Sequence, residues 1–95
     1  MHDGQATISP DILARYAADA AREIDGVHDI TGRKGVKIAD EGESVQVEIH
    51  LRVEWGASIP EVGAAVQARV RAYLGQMANI PAAEVDVVVD EVAGP

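Results

Sequence analysis

Three histidines, at positions 2, 28 and 50, are the side chains here best suited to proton transfer or metal binding. Their spacing argues against a metal site. Imidazole ligands on one element recur two or four residues apart, whereas these stand 26 and 22 residues apart. His2 belongs to the terminus, and His50 stands among charged residues, where contact with solvent or a subunit is expected. The carboxylates of Asp40, Glu41 and Glu43 could hold a cation, but they lack the D-x-[DN]-x-[DN]-G register of a calcium loop and read as a solvated turn. The stretch "TGRKG" (31–35) is the one concentration of basic charge, with Lys37 just beyond. Its two glycines flank Arg33 and Lys34 and could present N–H groups and charge to a phosphate. The stretch is neither a P-loop nor G-x-G-x-x-G. Ser9 and Ser58 each precede a helical pattern and read as caps, without the His and acid of a nucleophile triad. Tyr16, Trp55 and Tyr73 are too sparse for a base-stacking platform. No catalytic constellation emerges, and neither enzymatic activity nor a metal or cofactor is expected.

The elements that would position these residues are legible. Ser9, Pro10 and Asp11 open a helix: a capping hydroxyl, a residue with no N–H to lose, and an acid facing the positive end. Apolar residues at 12, 13, 16, 17, 20, 21 and 24 keep helical spacing, and Gly26 is a natural stop, so the first helix is expected over 10–25. A short β-prone piece, "QATI" (5–8), precedes it. Residues 28–35 read as loop and 36–39 as a short strand, followed by the polar turn "DEGE". In "VQVEIHLRVEW" (45–55) every odd position is apolar and every even one polar, the signature of a strand with one buried and one wet face. Gly56 should end it. Ser58 and Glu61 have capping-box spacing around Pro60 and open a second helix over 59–78, with apolar residues at 62, 66, 70, 73, 74 and 77 and a stop at Asn79. "EVDVVVDEV" (84–92) is the last strand, with Val85, Val87 and Val89 on one side.

The expected order is β-α-β-β-α-β in a single domain. Right-handed crossovers would put both helices on the same face of one antiparallel-rich sheet. This is an α+β two-layer sandwich of the ferredoxin-like, or split β-α-β, type. The other sheet face would be open and polar, carrying Gln46, Glu48, His50, Arg52 and Glu54.

Composition narrows the partners. The chain has 95 residues and a net charge of −8, from 8 basic and 16 acidic residues. That disfavours nucleic acid and anionic membrane surfaces, both of which are bound through Lys and Arg. It has no Cys, which removes disulfides, thiol catalysis and thiolate metal sites together. It has no Phe and one Trp, so a core of small branched side chains leaves little scope for an aromatic-lined pocket. "MHDGQATISP" has no apolar stretch, so no secretory signal is expected, and no apolar run approaches the roughly 18 residues of a membrane span.

The segment "GVKIADEGESVQVEIHLRVEWGASIPEVGAAVQARVRAYL", followed by "VDVVVDEV", resembles the bacterial alkaline shock protein family, also called envelope stress response proteins. That pattern has a G-V-K-type strand and a long alternating strand ending in an aromatic and Gly. I-P-E-V, an Ala/Val/Gln/Arg helix and a valine-rich tail follow. "ISPDILARYAADAAREIDGV" resembles its first helix. The specific part is Trp55, Gly56, Ile59, Pro60, Glu61 and Val62, to which structural tasks are assigned, with Trp55 closing the buried strand face. The resemblance implies one domain over 1–95 with its core in about 5–92. It also implies a small cytoplasmic protein linked to cell-envelope or alkaline stress. Some members are tethered at the membrane through a separate anchor protein, some self-associate, and no activity or cofactor is established for the family. The expectation is a non-enzymatic protein-interaction or scaffold module. Its partners would be proteins, a membrane-anchored one among them, or further copies of itself. The alternative is a small-anion or nucleotide sensor using Arg33, Lys34 and Lys37.

Overall fold

The structure, a computed structural model, describes residues 8–32, 35–41, 44–80 and 83–95. Two helices pack on one face of a four-stranded sheet. The α+β class and the one-sided placement of the helices are as expected. Helix α1 spans Pro10–Arg22, with the Ser9 hydroxyl accepting from the Ile12 N–H. It ends earlier than its apolar spacing predicts, at the C-cap Glu23. Gly26, with φ +99°, therefore serves the following turn and not the helix end. Helix α2 spans Ile59–Ala78, as expected, between the Ser58 cap and Asn79, whose left-handed backbone (φ 56°) stops it.

Strand β3, Val45–Val53, is the axis of the sheet. Val45, Val47, Ile49, Leu51 and Val53 are all buried against the helices. They meet Leu13, Ala17, Ala20 and Ala21 of α1 and Val62, Val66, Val70 and Leu74 of α2. The alanines let α1 approach closely, and Tyr16 and Tyr73 meet edge to face, 5.9 Å between ring centres. Met77, assigned to the apolar face of α2, is instead exposed beyond the last turn of the stripe. Strand β4, Ala83–Val92, lies parallel to β3 and directly beside it, with Val85 buried and Val87 and Val89 packed on the core. No strand intervenes between them as it would in a split arrangement. The Gln67 and Arg71 side chains of α2 donate to the carbonyls of Val85 and Ala83, fastening the start of β4 to the helix.

The other edge of β3 is where the structure departs most from expectation. Strand β2, Val36–Asp40, pairs antiparallel with Val45–Ile49, as expected of a hairpin. Residues 28–30, the start of the expected 28–35 loop, instead join Val27 in strand β1, Val27–Ile30, antiparallel to Leu51–Val53. The reason is backbone accounting: β2 covers only the first half of β3, and the remaining N–H and C=O groups need a partner. Thr31 N–H donates to the His50 carbonyl (2.9 Å), and His50 N–H donates to the Gly35 carbonyl (2.7 Å). β1 and β2 thus behave as one interrupted strand whose two ends meet at His50. Gly35 is needed at this neck, because a Cβ there would run into the Thr31 carbonyl and the Ile30 side chain. The element order among the described residues is α-β-β-β-α-β. The strand expected at 5–8 lies, except for Ile8, outside them.

A second correction concerns Trp55. The sheet ladder ends at Val53, and Glu54 N–H donates to the Gly26 carbonyl (2.8 Å). Ala57 N–H then returns to the Glu54 carbonyl (3.1 Å). With Gly56 at φ +86° this is a type II-like turn, and Trp55 occupies its outer corner. Trp55 is therefore 65% exposed and does not close the buried face.

Candidate functional site

The outward side chains of β3 sit on one surface, as the alternation requires, and each reaches a neighbouring strand. Gln46 donates to Glu84 (3.2 Å) on β4. Lys37 of β2 lies 3.9 Å from Glu48. Arg52 faces Glu91 at 3.5 Å, and just past the end of β3 Glu54 meets His28 of β1 at 3.0 Å. The face is thus a lattice of cross-strand pairs with acids in excess.

Its centre is His50. Nε2 lies 2.7 Å from a Glu48 oxygen and Nδ1 lies 2.8 Å from Asp90. Asp90 reaches this position because β4 carries an extra residue there. Leu51 pairs with Val89 but Arg52 pairs with Glu91, so Asp90 bulges out of the ladder. The Thr31 hydroxyl, at the neck between β1 and β2, donates to the same Asp90 oxygen (3.0 Å). Asp90 of β4 thereby ties His50 of β3 to the neck between β1 and β2.

Two carboxylates can both accept from this ring only when it is a cation donating both N–H groups. The contacts shift all three groups accordingly. The bonds to Glu48 and then Asp90 raise the His50 pKa above the usual imidazole range. The bond to His50 lowers the Glu48 carboxyl, with help from the Lys37 charge. Bonds to His50 and then Thr31 lower Asp90. With both N–H groups donating, the imidazolium acts as a clasp between the two carboxylates. Among the described residues no three His, Asp or Glu side chains converge to hold a metal ion.

The other candidates do not join this site. Arg33, Lys34, Glu43 and His2 lie outside the described residues. Lys37 lies 3.9 Å from Glu48 and also lines the groove between α1 and the β1–β2 neck. Ser58 caps α2, accepting from the Glu61 N–H, and Val62 is core. Ile59 is 44% exposed. Asp90 and Thr31 are the functional residues that sequence reasoning missed. The parity of Glu84, Asp86 and Asp90 on the wet side of β4 was available, but nothing local announced the bulge.

An α+β sheet covered by two helices on one side is an arrangement also seen in solved proteins. The chain superposes on the C-terminal domain of MamM with a TM-score of 0.63 at 19% identity, covering 87% of this chain and 100% of that domain. A cadmium form of that domain gives 0.62 at 20% identity with the same coverage. At such identity the likeness is one of fold. The sequence itself is more specific: residues 1–94 match the model of the alkaline shock protein 23 family, which has a cell envelope-related function, and the chain belongs to that family. It is similar to the uncharacterised protein YqhY of Bacillus subtilis, 29% identical over 101 residues, covering 90% of this chain and 75% of YqhY. It is also similar to the uncharacterised protein YloU of the same organism, 26% identical over 106 residues, covering 94% of this chain and 88% of YloU. No helix among the described residues is long and apolar enough to cross a membrane.

Proposed function

We propose that this chain is a non-enzymatic protein-interaction module serving the cell envelope, and that it pairs with a second copy of itself through the open face of β3 and β4. The observation that carries this is the interspersed charge on that face. Lys37 on β2 stands at one margin and Glu84 and Asp86 on β4 at the other, with Arg52 on β3 between them, so a copy turned about a twofold axis sets opposite charges together at both margins. A cytoplasmic position near the membrane, held through an anchored partner, belongs to the same reading. Sedimentation over a wide concentration range tests it. Mass should rise with concentration for the natural chain, whereas Lys37→Glu with Arg52→Glu should stay monomeric. The thermal midpoint should barely move, since exposed substitutions usually stay within about 0.5 kcal/mol. A natural chain that is monomeric throughout would sink the proposal.

A second reading, a small-anion sensor, is favoured by a groove of about 600 Å³ between α1 and the β1–β2 neck, where Arg15 and Arg22 stand beside Gly32 and Gly35. Phosphate titration followed by NMR tests it. Absence of shifts around residues 31–37 at millimolar phosphate would end it.

A further inference from the structure

The turn that exposes Trp55 stands beside a second groove. About 580 Å³ in volume, it lies between the end of α1 and the start of α2. Its floor is Ile24, Ala57, Val62 and Ala65, and its rim carries the carboxylates of Glu23, Asp25 and Glu61. Turn and groove are one construction. Ala57 closes the Trp55 turn and lines the groove, and Gly26, also lining it, accepts from Glu54. Gly26 cannot carry a side chain without entering Val62, which keeps the floor flat. Trp55 and Ile59 bracket Ala57 in the chain, both exposed although both are large and apolar. An exposed Trp two residues along the chain from Ala57, a wall of the apolar groove, is the kind of anchor on which binding energy concentrates.

Charge selects the occupant. Glu23 is engaged by Arg69 of α2. Among the described residues no cation is paired with Asp25 or Glu61, and the whole chain carries −8. We propose that this groove and Trp55 form a docking surface for a segment of a protein partner that presents an apolar side chain flanked by Lys or Arg. The apolar side chain lies on the Ile24–Val62 floor against the indole, and the flanking cations meet Asp25 and Glu61. This surface is distinct from the open sheet face.

Trp55 is the only tryptophan, so its emission reports the site directly. The probe is a peptide of alternating Leu and Lys, with a Leu/Glu peptide of equal length as control. The Lys peptide should shift the emission saturably, the Glu peptide should not, and affinity should fall about tenfold from low to physiological salt. Asp25→Asn with Glu61→Gln should weaken binding at least about fivefold, at an unchanged thermal midpoint. Glu84→Gln with Asp86→Asn, on the open sheet face, should change it less than about twofold. Trp55→Ala, followed by calorimetry, should lose about tenfold or more. No response, equal response to both peptides, or equal loss in both double variants overturns the proposal. So does emission that shifts with protein concentration alone, which would assign the surface to a second copy. A chain that is monomeric in sedimentation yet binds the Lys peptide would defeat the sheet-face reading and leave this one standing.

Discussion

Val53 and Trp55 stand two residues apart in one uninterrupted alternation of apolar and polar side chains, yet Val53 is 1% exposed and Trp55 is 65% exposed. Val53 is held in the ladder on both sides, opposite Val27 of β1 and Val92 of β4. One residue later the chain leaves the sheet. Glu54 bonds to the Gly26 turn, and Trp55 swings to the corner of a turn that has no ladder to orient it. Alternation therefore predicts a side only while the backbone stays paired, because it is the pleat, not the residue order, that points successive side chains apart.

The largest effects should come from exchanging these fates. Val53→Asp puts a charge into the core and should cost about 4 kcal/mol or more, a large share of the roughly 5–15 kcal/mol that holds a domain together. Trp55→Asp should stay within about 0.5 kcal/mol. Denaturant titration of both, followed by far-ultraviolet circular dichroism, is the check, and similar losses would place the strand end wrongly. The two turn glycines extend the contrast. Gly26→Ala meets both a left-handed backbone and Val62, 2.6 Å from the new Cβ, and should cost about 2–3 kcal/mol. Gly56→Ala, equally left-handed but in open space, should cost only about 1 kcal/mol. Ser58→Ala removes a helix cap and should also cost about 1 kcal/mol in thermal denaturation.

The smallest effect belongs to the open face and depends on pH. His50 has a raised pKa in the fold, so its contribution is complete below the ordinary imidazole value of about 6.5 and is lost as pH rises through the raised one. Glu48 and Asp90 have lowered values, so their contribution is present above about 4 and lost as pH falls through them. The thermal midpoint should therefore sag on the alkaline side in the natural chain. The sag should be smaller in His50→Gln, and identical profiles would mean the clasp is not formed in solution.

The buried and wet sides of β3 were legible because nine consecutive residues obey one period, and the start of each helix because Ser, Pro and an acid act within one turn. The clasp at His50 was half legible. Glu48 lies two residues away on the same strand face, but Asp90 is 40 residues distant and arrives only through a bulge. Strand β1 was not legible at all, since "VHDI" is short, half charged and weakly patterned. It becomes a strand because the far half of β3 needs hydrogen-bond partners.

What the sequence determined by itself was local and periodic. It set the core-facing stripe of β3, the caps of both helices, the absence of thiol chemistry, and the family through the segment around Ile59–Val62. What only the tertiary structure decided was every property that belongs to a pair of segments. These are the pairing of β1, the parallel seat of β4 beside β3, the bulge that brings Asp90 to His50, and the turn that leaves Trp55 in solvent. A hydrogen-bond ladder is made by two chains of atoms at once, and neither segment alone carries the information about where the other begins or ends.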